Sequence, residues 1–273
     1  MGAVGYNYRV ATTPVTNLHW LGFVRAYHEQ FGYPGGGSQF TGAGIVRVGD
    51  EYLMFNHAAH HPVNILWRYA AMYTNWLHNG KAATPEAFLT GAYEVDTKGG
   101  TIPPHQASMA NVLRSPGAQY WIPSADEWAK AAHYDPNRHG EGQGGYWLHP
   151  GMQDTPLFPE LPENGGQTSA GLATLLDAGS YPHVQSPWGL LDTSGGEREW
   201  LDDYGVGTIN DGRFLRNSSY LANLTSWDHI AAPGGGDNNA RAGFRVAAVI
   251  PAPGGAAILS FTLLVSASRR SRR

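Results

Sequence analysis

Cysteine is absent from all 273 positions. That excludes disulfides, thiolate-held metals, a thiol nucleophile and redox chemistry on sulfur. Charge is scarce too, with Asp, Glu, Lys and Arg together making 15% of the chain. Four of the 18 basic residues, Arg269, Arg270, Arg272 and Arg273, crowd the last five positions. Residues 1–268 therefore hold 14 basic against 22 acidic side chains, a net charge of −8. A body that acidic lacks the basic stripe that a nucleic-acid partner needs. The chain also opens without a basic start and apolar run, so its first residues do not read as a signal peptide. No repeat of fixed period occurs.

Apolar residues make 42% of the sequence, with 9 Trp and 14 Tyr against 36 Gly and 18 Pro. This is a loop-rich composition that can still build a core. Val4 to Val10 reads as a strand, and Thr16 as the N-cap of a helix carrying Leu18, Leu21, Val24 and Tyr27 at helical spacing. Gly32 to Gly44 is a glycine-rich loop, and Ile45 to Phe55 a hairpin turning at Gly49-Asp50. A second helix is predicted from Trp67 to His78, closed by Asn79-Gly80, and a short one opens at Thr84-Pro85. Ser124-Ala125-Asp126-Glu127 is a capping box ahead of Trp128, Ala131 and Ala132. Asp135 to Ser186 shows almost no periodicity, and short strands are expected within 187–204, 213–220 and 240–249. The predicted class is α+β, with few helices, short strands and long irregular loops.

At the C-terminus, Pro251-Ala252-Pro253-Gly254-Gly255 precedes an apolar run from Ala256 to Ala267 and then the arginine cluster. Twelve residues in a helix span about 18 Å, short of the roughly 30 Å hydrocarbon core. One reading is a final core helix with a solvated basic tail. The order of features instead resembles the PEP-CTERM sorting tail of exported bacterial proteins, with Ile250-Pro251-Ala252-Pro253 where that family usually has Val-Pro-Glu-Pro. The resemblance implies export to the cell surface or extracellular matrix, inner-membrane contact through residues 256–267, and a sorting protease as partner. The expected organisation is a domain at 1–248 whose true start lies upstream, a linker at 249–255, and the tail at 256–273.

Five segments carry a second resemblance. They are Pro14-Val15-Thr16-Asn17; Pro62-Val63 with Trp67 to Leu77; Tyr120 to Trp128; Trp188 to Trp200; and Arg213 to Tyr220, closed by Gly243-Phe244-Arg245-Val246. In this order they resemble the formylglycine-generating enzyme family, also called the sulfatase-modifying factor domain. The resemblance implies a C-type-lectin-related fold. The family's enzymes oxidise a sulfatase cysteine to formylglycine with a copper ion held by two cysteines. Counted from Ser219, those positions fall near Ala222 and Trp227. Copper is therefore not expected, and no catalytic residue is assigned. Another branch uses iron and three histidines from an extra helical domain, for which this chain has no room.

Among the acidic residues, Glu197, Glu199, Asp202 and Asp203 cluster most densely. In related proteins a Gly-Asn-x-x-Glu-Trp stretch contributes to a calcium site; here Gly196 replaces the Asn and Glu199 remains. Three readings of Glu199 stay open: a calcium ligand, a buried ion pair with an arginine such as Arg245, or a catalytic carboxylate. His57, His60 and His61 are either metal donors or a solvated loop. Gly140-x-Gly142-x-x-Gly145 matches a dinucleotide fingerprint but follows no strand and opens no helix, so it carries nothing. Arg216, Tyr220, Trp227, His229, Asn238, Asn239 and Arg241 lie where the resemblance places the ligand-binding face. The expectation is an exported, non-catalytic, lectin-like binding module for a glycan or protein. The alternative is a formylglycine-generating oxidase.

Overall fold

The computed structural model describes residues 3–109, 112–205, 212–222, 225, 228–234 and 240–250. In chain order its strands are β1 (Tyr8–Val10), β2 (Ile45–Val48), β3 (Glu51–Met54), β4 (Tyr120–Trp121), β5 (Tyr134–Asp135), β6 (Gly145–Tyr146), β7 (Glu199–Gly205), β8 (Gly212–Arg216), β9 (Ala232–Pro233) and β10 (Ala247–Val249). The helices are α1 (Asn17–Phe31), α2 (Ser38–Thr41), α3 (Trp67–His78), α4 (Glu86–Leu89) and α5 (Ala125–His133). This is the expected α+β architecture of short strands, few helices and long irregular loops.

Helix α1 starts at Thr16 as its N-cap. Its buried stripe is Trp20, Phe23, Val24 and Tyr27, whereas Leu18 is half exposed, against expectation. The aromatic side chains carry the larger apolar area and take the inward face. Helix α3 is buried from Trp67 to Trp76, its polar Arg68, Thr74 and Asn75 included. Asn75 within it is satisfied locally: its Nδ2 donates to the carbonyls of Phe88 (3.0 Å) and Tyr93 (2.7 Å), and its Oδ1 accepts from Tyr93 N (2.8 Å). Trp20, Phe23, Tyr73, Trp76, Phe88 and Phe244 pack ring against ring around it.

Four small antiparallel sheets surround this core: β1-β10-β4, β2-β3, β5-β6 and β7-β8-β9. Strand β10 lies between β1 and β4, with Tyr8 opposite Val249 and Ala247 opposite Trp121, so the two ends of the domain close on one sheet. The capping box forms as read. Ser124 Oγ accepts from Glu127 N (3.2 Å), and Glu127 Oε2 accepts from Ser124 N (2.7 Å). The same carboxylate accepts from Trp121 Nε1 (3.0 Å) and Arg114 Nη1 (2.9 Å), which ties α5 to the sheet. The Gly140 to Gly145 stretch turns between β5 and β6, a hairpin with no helix behind it. Residues 187–198 form turns rather than the expected strand, and regular pairing begins at Glu199. The tail, residues 251–273, lies outside the described residues.

Candidate functional site

Strands β7 and β8 set which acidic and basic side chains face inward. Glu199 is opposite Arg216 in the register, and cross-strand partners share a face. Both are fully buried against α5. Trp128 Nε1 donates to Glu199 Oε2 (2.8 Å), and the Arg216 guanidinium lies 5.2 Å from the centre of a Trp128 ring. Arg245 binds Glu199 through two hydrogen bonds, Nε to Oε2 (2.6 Å) and Nη2 to Oε1 (2.5 Å). Of the three readings of Glu199, this geometry is that of the buried ion pair. Arg216 is corrected as a ligand-facing residue. It points into the protein, and its Nη2 donates to the His229 carbonyl (2.8 Å).

Two residues upstream, in the turn before β7, Glu197 takes a different partner. It is 8% exposed, and its Oε2 accepts from Asn64 Nδ2 (2.6 Å). Burial pushes its carboxyl up to about 7, opposed by the Asn64 hydrogen bond and by the Arg241 charge. Tyr220, half-buried, senses the same carboxylate: desolvation and then Glu197 raise its phenol, while Arg241 lowers it. Arg241 is exposed, and its Nη1 donates to Ser38 Oγ (2.5 Å). Backbone ties fix this arrangement, with Tyr220 N donating to the Gly196 carbonyl (2.8 Å) and Gly196 N to Ser169 Oγ (2.8 Å). The result is a carboxyl, an amide, a phenol and a guanidinium gathered at one surface. Behind it Glu197, Asp192, Ser169 and Ser194 line a cavity of about 10 Å³, the scale of a single water. Burial also raises the Asp192 carboxyl.

The structure thus brings Tyr220 and Arg241 together and adds Glu197, Asn64 and Ser38. Glu197 was visible as part of the acidic cluster, but Asn64 and Ser38 stood out by no signal in the sequence. His229 is exposed elsewhere, edge-on to His149 with ring centres 6.1 Å apart. Near it a buried pair emerges that the sequence did not suggest: Asp228 Oδ2 lies 3.8 Å from His149 Nδ1. Asp228 Oδ1 accepts from Ser218 N (3.0 Å) and Ser218 Oγ (2.7 Å). Trp227, Asn238 and Asn239 lie outside the described residues. His57 stacks on Phe55, His60 is exposed, and His61 pairs with Asp177 at 3.6 Å. Among the described residues no three His, Asp or Glu side chains converge as metal donors.

The family model of the sulfatase-modifying factor enzyme 1-like domain matches residues 4–250. The chain belongs to that family. Among solved structures it is similar to CarF, at 21% identity over 89% of this chain and 87% of that one, with a TM-score of 0.54. It is also similar to Treponema denticola variable protein 1, at 17% identity over 89% of this chain and 84% of that one, with a TM-score of 0.52. At these identities both likenesses speak to fold. Among curated proteins none matches.

The sulfatase-modifying factor resemblance implies a copper held by two thiolates, and this chain does not supply them. There is no cysteine anywhere in the sequence. Ala222, one of the two positions reached by counting from Ser219, sits in a tight turn with its N–H on the Ser219 carbonyl (3.1 Å) and offers only a methyl group. Soft sulfur donors are what select copper(I), so the residues present do not fit that metal.

Proposed function

We propose that this protein is a binding member of the sulfatase-modifying factor family, taking a glycan or protein ligand at the Glu197–Asn64–Tyr220–Arg241 surface, rather than an oxidase. The observation that carries this reading is the zero cysteine count. It removes the family's copper donors while the fold and an adjacent polar surface remain. A carboxyl, an amide, a phenol and a guanidinium on a rigid scaffold suit the hydroxyls of a sugar, each group fixing orientation through one or two hydrogen bonds. The half-buried Tyr220 ring adds an apolar face. The setting that goes with this reading is the cell surface or matrix of a bacterium, reached through export.

Two measurements test it. A glycan array and a peptide display against the full chain should give binding that falls at least tenfold in Glu197→Gln and Arg241→Ala, with both variants folded. Incubation with copper, reductant, oxygen and a sulfatase-motif peptide should leave the peptide cysteine unchanged. Conversion of that cysteine to an aldehyde would overturn the reading and favour the oxidase alternative.

A further inference from the structure

A groove of about 420 Å³ lies away from the Glu197 surface and shares no residue with it. Its floor and walls come from β1 and the residues before it (Tyr6, Tyr8, Val10), from the end of α5 (Lys130, Ala131), and from the turn bearing Trp188 and Leu190. Trp188 sits in a tight turn. Gly189 N closes the turn on the Ser186 carbonyl (2.9 Å) with φ of 81°, and Trp188 is 54% exposed. Tyr6 is 48% exposed. Large exposed aromatics lining one concavity mark a surface built to be covered.

The last lining residue is Ile250, itself 51% exposed, and the sequence continues from it with 23 residues. The first five, Pro251 to Gly255, reach at most about 18 Å when fully extended. The apolar run Ala256-Ala257-Ile258-Leu259-Ser260-Phe261-Thr262-Leu263-Leu264-Val265-Ser266-Ala267 therefore begins within that distance of the groove. A tether that short holds the segment at an effective concentration in the millimolar range. Tethered proximity, an apolar segment and an uncovered aromatic groove at the tether's root make a matched set.

We propose that the groove between β1, α5 and the Trp188 turn is the docking site for the chain's own apolar segment, residues 256–267, when no membrane is present. The groove then shields that segment from water, and a lipid surface competes with it.

The absence of native cysteine makes a paired-cysteine test clean. Asn7, exposed at the groove, and Ser260 are both changed to Cys in the full chain. Mild oxidation of the dilute protein in lipid-free buffer should give an intramolecular disulfide. The pair Val48→Cys with Ser260→Cys, on the exposed β2-β3 hairpin, should not. Anionic vesicles should suppress the first cross-link. As a second readout, removal of residues 251–273 should lower Tm by several degrees in the native background and by little in Trp188→Ala. Equal cross-linking of the two pairs, or an unchanged Tm on removal of the tail, overturns the proposal. So does saturable binding of a soluble sugar at Trp188 with the tail in place.

Discussion

Glu199 and Arg245 hold one another through two short hydrogen bonds, 2.6 and 2.5 Å, with both side chains fully buried. The arginine spends its remaining donors on backbone carbonyls of Ala11, Thr12 and Leu191, at 3.2, 3.2 and 3.1 Å. One ion pair thus ties the N-terminal segment, the turn before β7 and the last sheet. Removing one partner strands a buried charge, which costs about 3–5 kcal/mol. Glu199→Ala should lower stability by that order, with Glu199→Gln in between, as read by denaturant midpoint. Because the carboxylate is committed to Arg245 and Trp128, calcium and chelator should shift the native Tm equally little. A calcium-dependent rise lost in Glu199→Gln would show that the carboxylate ligates the ion instead.

Glu197 gives the opposite pH dependence from an ordinary surface carboxylate. Burial lifts it from 4.5 to about 7, so between these values the folded protein keeps a proton that the unfolded chain has lost. This group's contribution is then fully present below about pH 4.5 and is lost as pH rises through 7, about 3 kcal/mol in all. Glu197→Gln should remove this component and gain stability at pH 8. Chemical denaturation of both proteins at pH 4.5, 6 and 8 checks it. Parallel curves would mean that the carboxyl is ionised in the fold throughout.

The parts of the fold legible in the sequence are those written in local rules. The Ser124–Glu127 box, the Thr16 cap, the Asn79-Gly80 stop and the Gly49-Asp50 hairpin each state their geometry within a few residues. The helix from Trp67 was legible too, but not that its polar Arg68, Thr74 and Asn75 would be buried with the rest. What was not legible depends on partners far apart in the chain. Glu197 and Glu199 are two residues apart, yet Glu197, in the turn before β7, meets Asn64, while Glu199, at the start of β7, meets Arg245, and both partners lie far off in the chain. Arg216 read as a ligand-facing group because the family resemblance places the binding face there; its pairing opposite Glu199 turns it inward. The stretch 187–198 has strand-like composition, but the positive φ of Gly189, Asp192, Gly195 and Gly196 breaks it into turns.

His133 contributes in the opposite sense to Glu197. Its two ring nitrogens lie 3.1 Å from the carbonyls of Trp147 and Asp228. Burial first, and then the Arg216 charge, lower it from 6.5 to about 4. The folded form holds the neutral ring, so this stability is complete above pH 6.5 and is lost as pH falls through about 4, about 3 kcal/mol in all. His133→Gln should be less stable than the native protein at pH 7 and lose less on acidification. A stability curve for the variant that runs parallel to the native one from pH 7 to 4 would show that the ring is already charged in the fold.

Gly195 and Gly196 sit side by side before Glu197 and separate two costs of a side chain. Both have positive φ, 74° and 63°, so alanine at either pays about 1–2 kcal/mol for the left-handed backbone. At Gly196 a Cβ meets nothing within 4 Å, whereas at Gly195 it falls 2.6 Å from Thr168 Oγ1 and 2.8 Å from the Ser169 backbone nitrogen. The hydroxyl can rotate aside; the backbone nitrogen cannot without moving the Ser169 segment, whose Oγ accepts from Gly196 N (2.8 Å) beneath the Glu197 surface. Gly196→Ala should therefore lose only the backbone term and leave ligand binding intact. Gly195→Ala should lose clearly more stability and also weaken binding at Glu197, because the clash displaces the segment on which that surface rests. Urea midpoints and the binding assay on both variants check the contrast, and equal losses at the two glycines would mean that the Ser169 segment yields without cost.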